Sequence, residues 1–420
     1  MAPLEKQLIE AMTKMEIIDT HEHVGPEEER VNTPVEVFDF FLSNSYSGYD
    51  LRMAGMSESD CLTVQNRDIP LDERWNIFAP YWERIRWTSY SRAILLATEK
   101  FYGESDINEK NFATICERIA RDNKPGIYHK VLREACNIRF SLTQTDLPNT
   151  KTDLLIPLDR VLMQDVDCWE TLSHPPFAQG QAVSTLDDYL DICRDHIVRC
   201  KEDGVVGLKT ISLKQSDPDR QEALSQFEKL KSGKVDRLVP PRVFPNWQPC
   251  TALRTYIVDE LIAFAGLQGL PIAVHTGYWG DFRDLDPLHV IPMLQRHPDV
   301  RFDIYHLGYP WCRQVLMLCK GFANVWVNLC WTHVISQCSV VQALDEAIDL
   351  LPTNKILAFG GDYNSSCLEL IYGHLVMARE NIAKVLARRI TERQMTETQA
   401  LDLAKKWFWD NPVELYRLNV

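Results

Sequence analysis

The sequence has no long hydrophobic run and no surplus of positive charge. No stretch approaches the roughly 18 uninterrupted apolar residues that predict a membrane-spanning helix. The N-terminal residues lack the basic segment and apolar run of a secretory signal. Lys and Arg number 45 against 59 Asp and Glu, which gives a formal charge of −14. We therefore expect a cytoplasmic protein that binds neither nucleic acid nor a membrane.

Several motifs of known chemistry are also missing. The sequence has no Gly-x-x-x-x-Gly-Lys phosphate loop, no Gly-x-Gly-x-x-Gly dinucleotide motif and no Gly-x-Ser-x-Gly nucleophile turn. The 12 cysteines are scattered and include no Cys-x-x-Cys pair. In a chain of this size they are typical of reduced, mostly buried thiols, and no disulfide framework is needed.

Short apolar runs separated by amphipathic segments dominate the rest of the 420 residues. Runs that are apolar on both faces and alternate with helices predict a parallel sheet covered by helices. Eight runs favour a (β/α)8 TIM-like barrel of the α/β class over its main rival, an open doubly wound sheet. The eight predicted strands are Met15–Thr20, Asn137–Thr143, Leu154–Leu162, Val205–Thr210, Pro271–His275, Arg301–His306, Ala323–Leu329 and Ile356–Gly361.

A long segment does not fit a minimal barrel. Residues 31–135 lie between the first two predicted strands, look helical and are rich in Trp and Tyr. An insertion at this point would lie over the barrel mouth, where loops build the active site. We therefore predict a single domain over residues 1–420 with a long helical insertion after the first strand. The aromatic residues would either cover the pocket or form a subunit interface in a homo-oligomer.

The sharpest local signal is the segment Ile17-Ile-Asp-Thr-His-Glu-His23, in which an apolar strand leads directly into His-x-His. Residues two apart on a strand point to the same side, so His21 and His23 can bind one metal ion. Imidazole suits zinc, iron, nickel and similar ions. The competing interpretation is a pair of surface histidines after a buried strand.

Three further polar residues close apolar strands in the same way. His275 ends the fifth predicted strand, His306 ends the sixth, and Asp362 follows the eighth. In a barrel these strand ends meet at one mouth although the residues are distant in sequence. For any one of them the simpler explanation is a hydrogen-bonded barrel residue, but agreement among several strand ends favours a metal site.

This set of residues resembles the amidohydrolase superfamily of metal-dependent barrels, in strand order over nearly the whole chain. The likeness is closest to the branch with decarboxylases and single-metal hydrolases. It is carried by Val205-Val-Gly-Leu-Lys209, Gly360-Gly-Asp362 and Asn411-Pro-Val-Glu-Leu-Tyr416. A second likeness, to uronate isomerases, is carried by the insertion, including Ser47-Gly-Tyr-Asp-Leu-Arg-Met-Ala-Gly55.

The resemblance implies a role for each of these residues. His21, His23 and His275 would be metal ligands, and Asp362 would be a ligand or the base that takes a proton from metal-bound water. His306 would polarise a substrate oxygen or orient the water. The cofactor would be one divalent metal ion, zinc in preference to manganese. A divalent metal lowers the pKa of bound water towards about 7, which makes hydroxide available at neutral pH.

Other residues are candidates for substrate contact. Lys209 lies near the end of the fourth strand; the resemblance allows a carboxylated lysine that bridges two metals, but we expect an unmodified side chain that binds substrate or forms an ion pair. Arg283 and Arg52 could pair with a substrate carboxylate in bidentate fashion. Trp279, Trp331 and His333 follow strands five and seven and could line the pocket.

The leading functional prediction is a metal-dependent hydrolase that uses metal-activated water on a small polar or carboxylated molecule. The alternatives on the same scaffold are a decarboxylase and a uronate isomerase-like enzyme, which the long insertion favours. A barrel without catalysis that serves as a binding protein is the third option, and the presence of all five candidate site residues argues against it. Fold alone does not decide between these functions.

Overall fold

The computed structural model describes residues 2–43, 45–144, 151–212, 214–240, 250–278 and 282–420. The chain divides into two compact units. The first unit comprises Met1–Leu155, Cys330–Asp345 and Ala358–Trp409. The second unit comprises Ile156–Leu329, Glu346–Leu357 and Asp410–Val420.

The described residues form eight strands in two sheets, with strand orders β1-β2-β3 and β4-β5-β6-β7-β8. β1 pairs with β2 in parallel, and so do neighbouring strands from β4 to β8. Asp19 is in register with Ser141, and Val274 with Ile304. The strands are β1 Ile17–Glu22, β2 Ile138–Thr143, β3 Leu155–Pro157, β4 Leu208–Ile211, β5 Ile272–His275, β6 Phe302–Tyr305, β7 Val325–Asn328 and β8 Ile356–Leu357.

Each strand overlaps its predicted run, and the α/β class with neighbouring strands in chain order is confirmed. The third strand is much shorter than predicted. Pro157 has no amide hydrogen to continue a ladder. Two residues later the Asp159 carboxylate accepts a hydrogen bond from the amide of Val161 at 2.7 Å, which starts a 3-10 turn in place of extended chain.

Helices fill most of the remaining chain. Their bounds are α1 Pro3–Thr13, α2 Glu27–Asn32, α3 Asp39–Leu42, α4 Ser45–Met53, α5 Glu58–Gln65, α6 Leu71–Ile85, α7 Ser89–Tyr102, α8 Phe112–Asp122, α9 Trp169–Ser173, α10 Leu186–Glu202, α11 Arg220–Lys231, α12 Ala252–Leu267, α13 Ile291–Arg296, α14 Cys312–Gly321, α15 Thr332–Ile335, α16 Gln337–Leu350, α17 Leu370–Thr391, α18 Glu397–Lys405 and α19 Asn411–Tyr416. Within the described part of the chain, none of them is long and apolar enough to cross a membrane.

The predicted helical insertion after the first strand is confirmed, since α2 to α8 lie between β1 and β2. Its interior is aromatic. The Phe41 and Trp82 rings meet edge to face at 5.2 Å, and Trp75 stacks on Phe112 at 4.5 Å. The Trp82 indole donates to the Ile107 carbonyl at 2.7 Å, so its polar group is satisfied inside this core.

In the second unit, β6 buries a carboxyl group. Asp303 is fully buried, and its Oδ2 accepts hydrogen bonds from the Tyr416 hydroxyl at 2.6 Å and the Asn328 amide at 2.9 Å. Burial raises the pKa of Asp303 to about 7, although both hydrogen bonds and the charge of Lys209 favour the ionised form. These contacts connect α19 and β7 to the centre of the sheet.

We predict that Asp303→Asn flattens the pH dependence of stability. Between about pH 4 and 7 the folded carboxyl keeps a proton that the unfolded chain releases, so the free energy of unfolding falls as pH rises. The wild type should lose on the order of 3 kcal/mol more than the variant across this window. Urea unfolding at pH 4.5, 6 and 7.5 measures this loss. The exposed variant Asp299→Asn should follow the wild type, and an unchanged slope in Asp303→Asn would refute the assignment.

Candidate metal centre

Two imidazoles project from the end of β1. His21 is fully buried, whereas the His23 side chain is 39% exposed, so the pair is reachable from the His23 side. β1 is buried over its whole length, which fixes its register. Because side chains two residues apart on a strand point the same way, both histidines lie on one side. The rings lie 5.1 Å apart, edge to face.

Asp362 meets these imidazoles after β8. Its Oδ1 lies 3.0 Å from His21 Nε2 and 3.2 Å from His23 Nε2. The backbone of Asp362 has a φ of 67°, and its amide donates to the His21 carbonyl at 2.9 Å. The left-handed conformation is one that Asp tolerates better than most residues, and here it turns the carboxylate towards the two rings.

Two glycines allow the chain to pass close to β1 before Asp362. A Cβ atom on Gly360 would lie 2.9 Å from the His21 amide nitrogen, and one on Gly361 would lie 1.9 Å from Glu22 Oε1. Neither position has room for a side chain. The glycine pair therefore provides close backbone approach beside the candidate ligands.

Gln144 positions both histidines. The His23 Nδ1 donates to the Gln144 backbone carbonyl at 3.0 Å, which leaves Nε2 as the nitrogen that can bind a metal. Gln144 Nε2 lies 2.8 Å from His21 Nδ1; a half-turn of the amide brings its oxygen to the same place, where it accepts from the Nδ1 hydrogen and leaves His21 Nε2 for a metal. The sequence analysis missed this residue, although it follows β2 as a polar strand-closing residue in the same way as the candidate ligands.

Tyr46 is the second residue that the sequence analysis missed. It comes from α4 of the insertion, and its hydroxyl donates to Asp362 Oδ2 at 2.5 Å. Burial and the neighbouring carboxylate raise the pKa of Tyr46 well above its usual value, so the phenol stays a proton donor. Its ring packs on Trp331 with centroids 3.9 Å apart, which places Trp331 beside the centre.

Two buried carboxyl groups hold the backbone on either side of Asp362. Asp19 Oδ1 accepts from the Gly361 amide at 3.2 Å, and Glu22 Oε2 accepts from the Tyr363 amide at 2.7 Å. Burial raises the pKa of Asp19 to about 6 and, with the charge of Asp19, raises the pKa of Glu22 well above its ordinary value. Through these two amides the pair holds the segment that carries Asp362.

The donor atoms of the first unit fit a divalent metal ion. With metal–ligand distances of about 2.0–2.2 Å, nitrogen and oxygen ligands of a tetrahedral site lie roughly 3.3 Å apart. The two distances from Asp362 Oδ1, 3.0 and 3.2 Å, are close to that value. Two imidazoles and a carboxylate also form a ligand set that zinc uses in catalytic sites, where a fourth position stays open. One donor atom from each of His21, His23 and Asp362 lies within 4.8 Å of the other two.

His275 and His306 form a separate pair in the second unit. His306 Nε2 lies 2.9 Å from His275 Nδ1, and the rings meet edge to face. His306 follows β6 with a φ of 65°, so it also leaves its strand in the left-handed conformation. The contact fixes the two rings relative to each other, and the predicted roles of both residues stay predictions.

The predicted substrate-contact residues differ in burial and in their neighbours. Lys209 is buried on β4 with its side-chain nitrogen 3.9 Å from the centre of the Tyr305 ring, and its predicted role stays a prediction. Arg52 is exposed near the end of α4, 5.8 Å from the Tyr49 ring centre, and Arg283 is exposed in a 3-10 turn. Trp279 lies outside the described residues.

His333 is an interior residue of the first unit. Its Nε2 donates to the Ala358 carbonyl at 3.0 Å, and the ring is completely buried. Burial lowers the pKa of His333 to about 4, so the ring is neutral near pH 7. The predicted roles of His333 and Trp331 in lining the pocket stay predictions; the Trp331 ring packs on Tyr46.

Comparison with known proteins gives a family match and several structural likenesses. The family model described as "Amidohydrolase" matches residues 160–418, more than half of the chain. A curated relative, Protein fluG of Emericella nidulans, is 24% identical over 154 residues. That match covers 36% of this chain and 18% of the relative, so the chain spans less than a fifth of that protein's length.

Among solved structures, glucuronate isomerase from Caulobacter crescentus has a TM-score of 0.78 at 18% identity, covering 99% of this chain and 94% of that one. Uronate isomerase from Thermotoga maritima has a TM-score of 0.77 at 17% identity, covering 99% and 98%. A Lactobacillus casei protein, described provisionally as a metal-dependent hydrolase, has a TM-score of 0.63 at 17% identity, covering 98% and 99%. At these identities the likeness concerns the fold.

We predict that Gln144→Leu weakens metal binding. The substitution removes the amide beside His21 Nδ1 but keeps the backbone carbonyl that orients His23. Loss of such an outer partner costs about 10–100-fold in metal affinity. Competition with a chromophoric zinc chelator measures the affinity. Gln181→Leu, at an exposed position, should match the wild type, and equal affinities for all three proteins would rule out the role of Gln144.

Proposed function

Because the chain belongs to the amidohydrolase family, we propose that it is a metal-dependent hydrolase of small polar or carboxylated molecules. The observation that carries this proposal is the approach of His21 Nε2 and His23 Nε2 to Asp362 Oδ1 within 3.2 Å. These three residues would hold one divalent cation. Zinc is the preferred ion because imidazole nitrogen suits it better than it suits manganese.

The chain's own residues supply the acid and base groups of such a reaction. A bound divalent cation contributes Lewis acidity and lowers the pKa of water. Asp362 Oδ2 can accept the proton of the attacking water and return it to the leaving group, as a well-placed carboxylate does. Tyr46 donates to the same oxygen and so sets the basicity of that carboxylate.

A metal analysis tests the ligand assignment. Relative to wild type purified without chelators, His21→Ala should lose one ion per chain, because His21 supplies a ligand atom 3.0 Å from Asp362 Oδ1. Asp362→Asn should bind the ion more weakly and lose turnover. Elemental analysis of the purified full-length chains gives the ratio.

The matched control is His129→Ala, which removes an exposed histidine and should keep the full metal content. A His21→Ala protein with the metal content of the wild type would contradict the proposed centre. Full metal content in Asp362→Asn with no turnover would instead assign Asp362 as a base and not as a ligand. His275→Ala, measured in the same way, tests whether the predicted fourth ligand contributes.

An isomerase is the second candidate, and the contact between Tyr46 and Asp362 favours it. A phenol and a carboxylate 2.5 Å apart form a pair that can give and take a proton, as movement of hydrogen between adjacent carbons requires. The phenol comes from the long insertion, the feature that resembles uronate isomerases in sequence. The fold likeness to two such enzymes is compatible with this candidate.

Tyr46→Phe distinguishes the two candidates. For hydrolysis we expect at most about a tenfold change in kcat, since Asp362 and the metal ligands remain. For an isomerase that uses Tyr46 as its acid, kcat should fall by about 10²–10⁴-fold. The assay uses a panel of lactones, amides and uronates in labelled water. Solvent oxygen in the product identifies hydrolysis, and solvent deuterium at carbon identifies isomerisation. Deuterium uptake with a large loss in Tyr46→Phe would overturn the hydrolase proposal.

A further inference from the structure

A second cluster of metal-binding side chains lies in the second unit. His196 and Cys200 are one helical turn apart on α10, so their side chains lie on the same face of that helix. Asp159, which follows β3, faces them. The donor atoms of the three residues lie within 4.8 Å of one another.

The three donor atoms form a triangle with the dimensions of a metal site. Asp159 Oδ2 lies 3.0 Å from His196 Nε2 and 3.6 Å from Cys200 Sγ, and the sulfur lies 3.4 Å from the same nitrogen. For zinc with bonds of about 2.0–2.1 Å to nitrogen and oxygen and about 2.3 Å to sulfur, the tetrahedral ligand separations are roughly 3.3–3.6 Å. Each side of the triangle is within about 0.3 Å of that range.

The surrounding structure holds the aspartate and the histidine in place. Asp159 Oδ1 accepts from the Val161 amide at 2.7 Å, which leaves Oδ2 directed at the cluster. The Asp159 backbone is bonded on both sides, to the Gly207 carbonyl and the Lys209 amide. Phe177 stacks on the His196 ring at 4.4 Å. The Asp159 and His196 side chains are 18% and 17% exposed, so ions can reach them from solvent.

We propose that Asp159, His196 and Cys200 form a second binding site for a zinc-type cation, separate from the centre at His21, His23 and Asp362. Binding would release the Cys200 thiol proton to solvent as the sulfur–metal bond forms, with His196 neutral and Asp159 ionised. Sγ lies 3.6 Å from His196 Nδ1 as well as 3.4 Å from Nε2, so the sulfur stands beside the ring and the Cys200 side chain has to rotate about its Cα–Cβ bond to complete the site. Water would take the fourth position.

A nucleophilic cysteine is the competing use of these residue types, and the geometry disfavours it. A base that activates a thiol and is oriented by a carboxylate contacts the two through different ring nitrogens. Here Asp159 Oδ2 contacts the sulfur directly, at 3.6 Å, as well as His196 Nε2 at 3.0 Å, so the carboxylate does not act on the thiol through the ring alone. Burial and the Asp159 charge also raise the pKa of Cys200 to about 12, which keeps the thiol protonated until a metal displaces the proton.

Cobalt(II) is a suitable probe because a cobalt–thiolate bond gives an intense charge-transfer absorption that nitrogen and oxygen ligands do not give. The test uses the full-length His21→Ala chain, in which the first centre is disabled. We expect one cobalt per chain with the thiolate absorption. The absorption should be lost in His21→Ala/Cys200→Ser and kept in His21→Ala/Cys338→Ser, since Cys338 is an exposed free cysteine.

His21→Ala/His196→Gln provides a second measurement in which the sulfur is intact. It should bind cobalt at least tenfold more weakly than His21→Ala, and circular dichroism confirms that each variant is folded. No cobalt in folded His21→Ala, or a thiolate absorption that survives Cys200→Ser, would overturn the proposal. The first centre is scored separately, by the ion that wild type holds and His21→Ala lacks, so either site can fail alone.

Discussion

The hydrogen bond from the Asp362 amide to the His21 carbonyl is the constraint on which the candidate metal centre depends. It joins the segment that follows β8 to the end of β1, and the bond from the His23 amide to the Tyr363 carbonyl continues the pairing. Side-chain donors from opposite ends of the sequence are thereby set about 3 Å apart by backbone geometry. The ligands need no flexible adjustment to meet, which is the condition for a preorganised site.

Three residues that follow strands have a left-handed backbone conformation. His306, Trp331 and Asp362 follow β6, β7 and β8, and all three have positive φ values. Such a conformation costs of order 1 kcal/mol or more for a residue other than glycine and persists only where the surroundings enforce it. At Asp362 the enforcing contacts are visible, since Asp19 and Glu22 bind the amides on either side of it.

The sequence predicted the parts of the molecule that follow local rules. Apolar runs located the eight strands of the described residues, and polar residues at strand ends pointed to His21, His23 and Asp362, which the structure brings together. Gln144 also follows a strand, but it was not predicted because glutamine is rarely a metal ligand. Its contacts instead orient the two histidines. Tyr46 could not have been found, because no periodicity or spacing connects a helix of the insertion with a strand end more than 300 residues away. The short β3 shows how one proline and one side-chain hydrogen bond override an apolar run.

Tyr46 belongs to the insertion between β1 and β2, which contains none of the metal ligands that we propose. The groups proposed to bind the ion and the group proposed to adjust proton transfer are therefore encoded by different stretches of the chain. Recombination or drift within the insertion could alter the reaction while the strands that bind the metal stay unchanged. A scaffold divided in this way lends itself to divergence, because new chemistry can be acquired without first losing the cofactor.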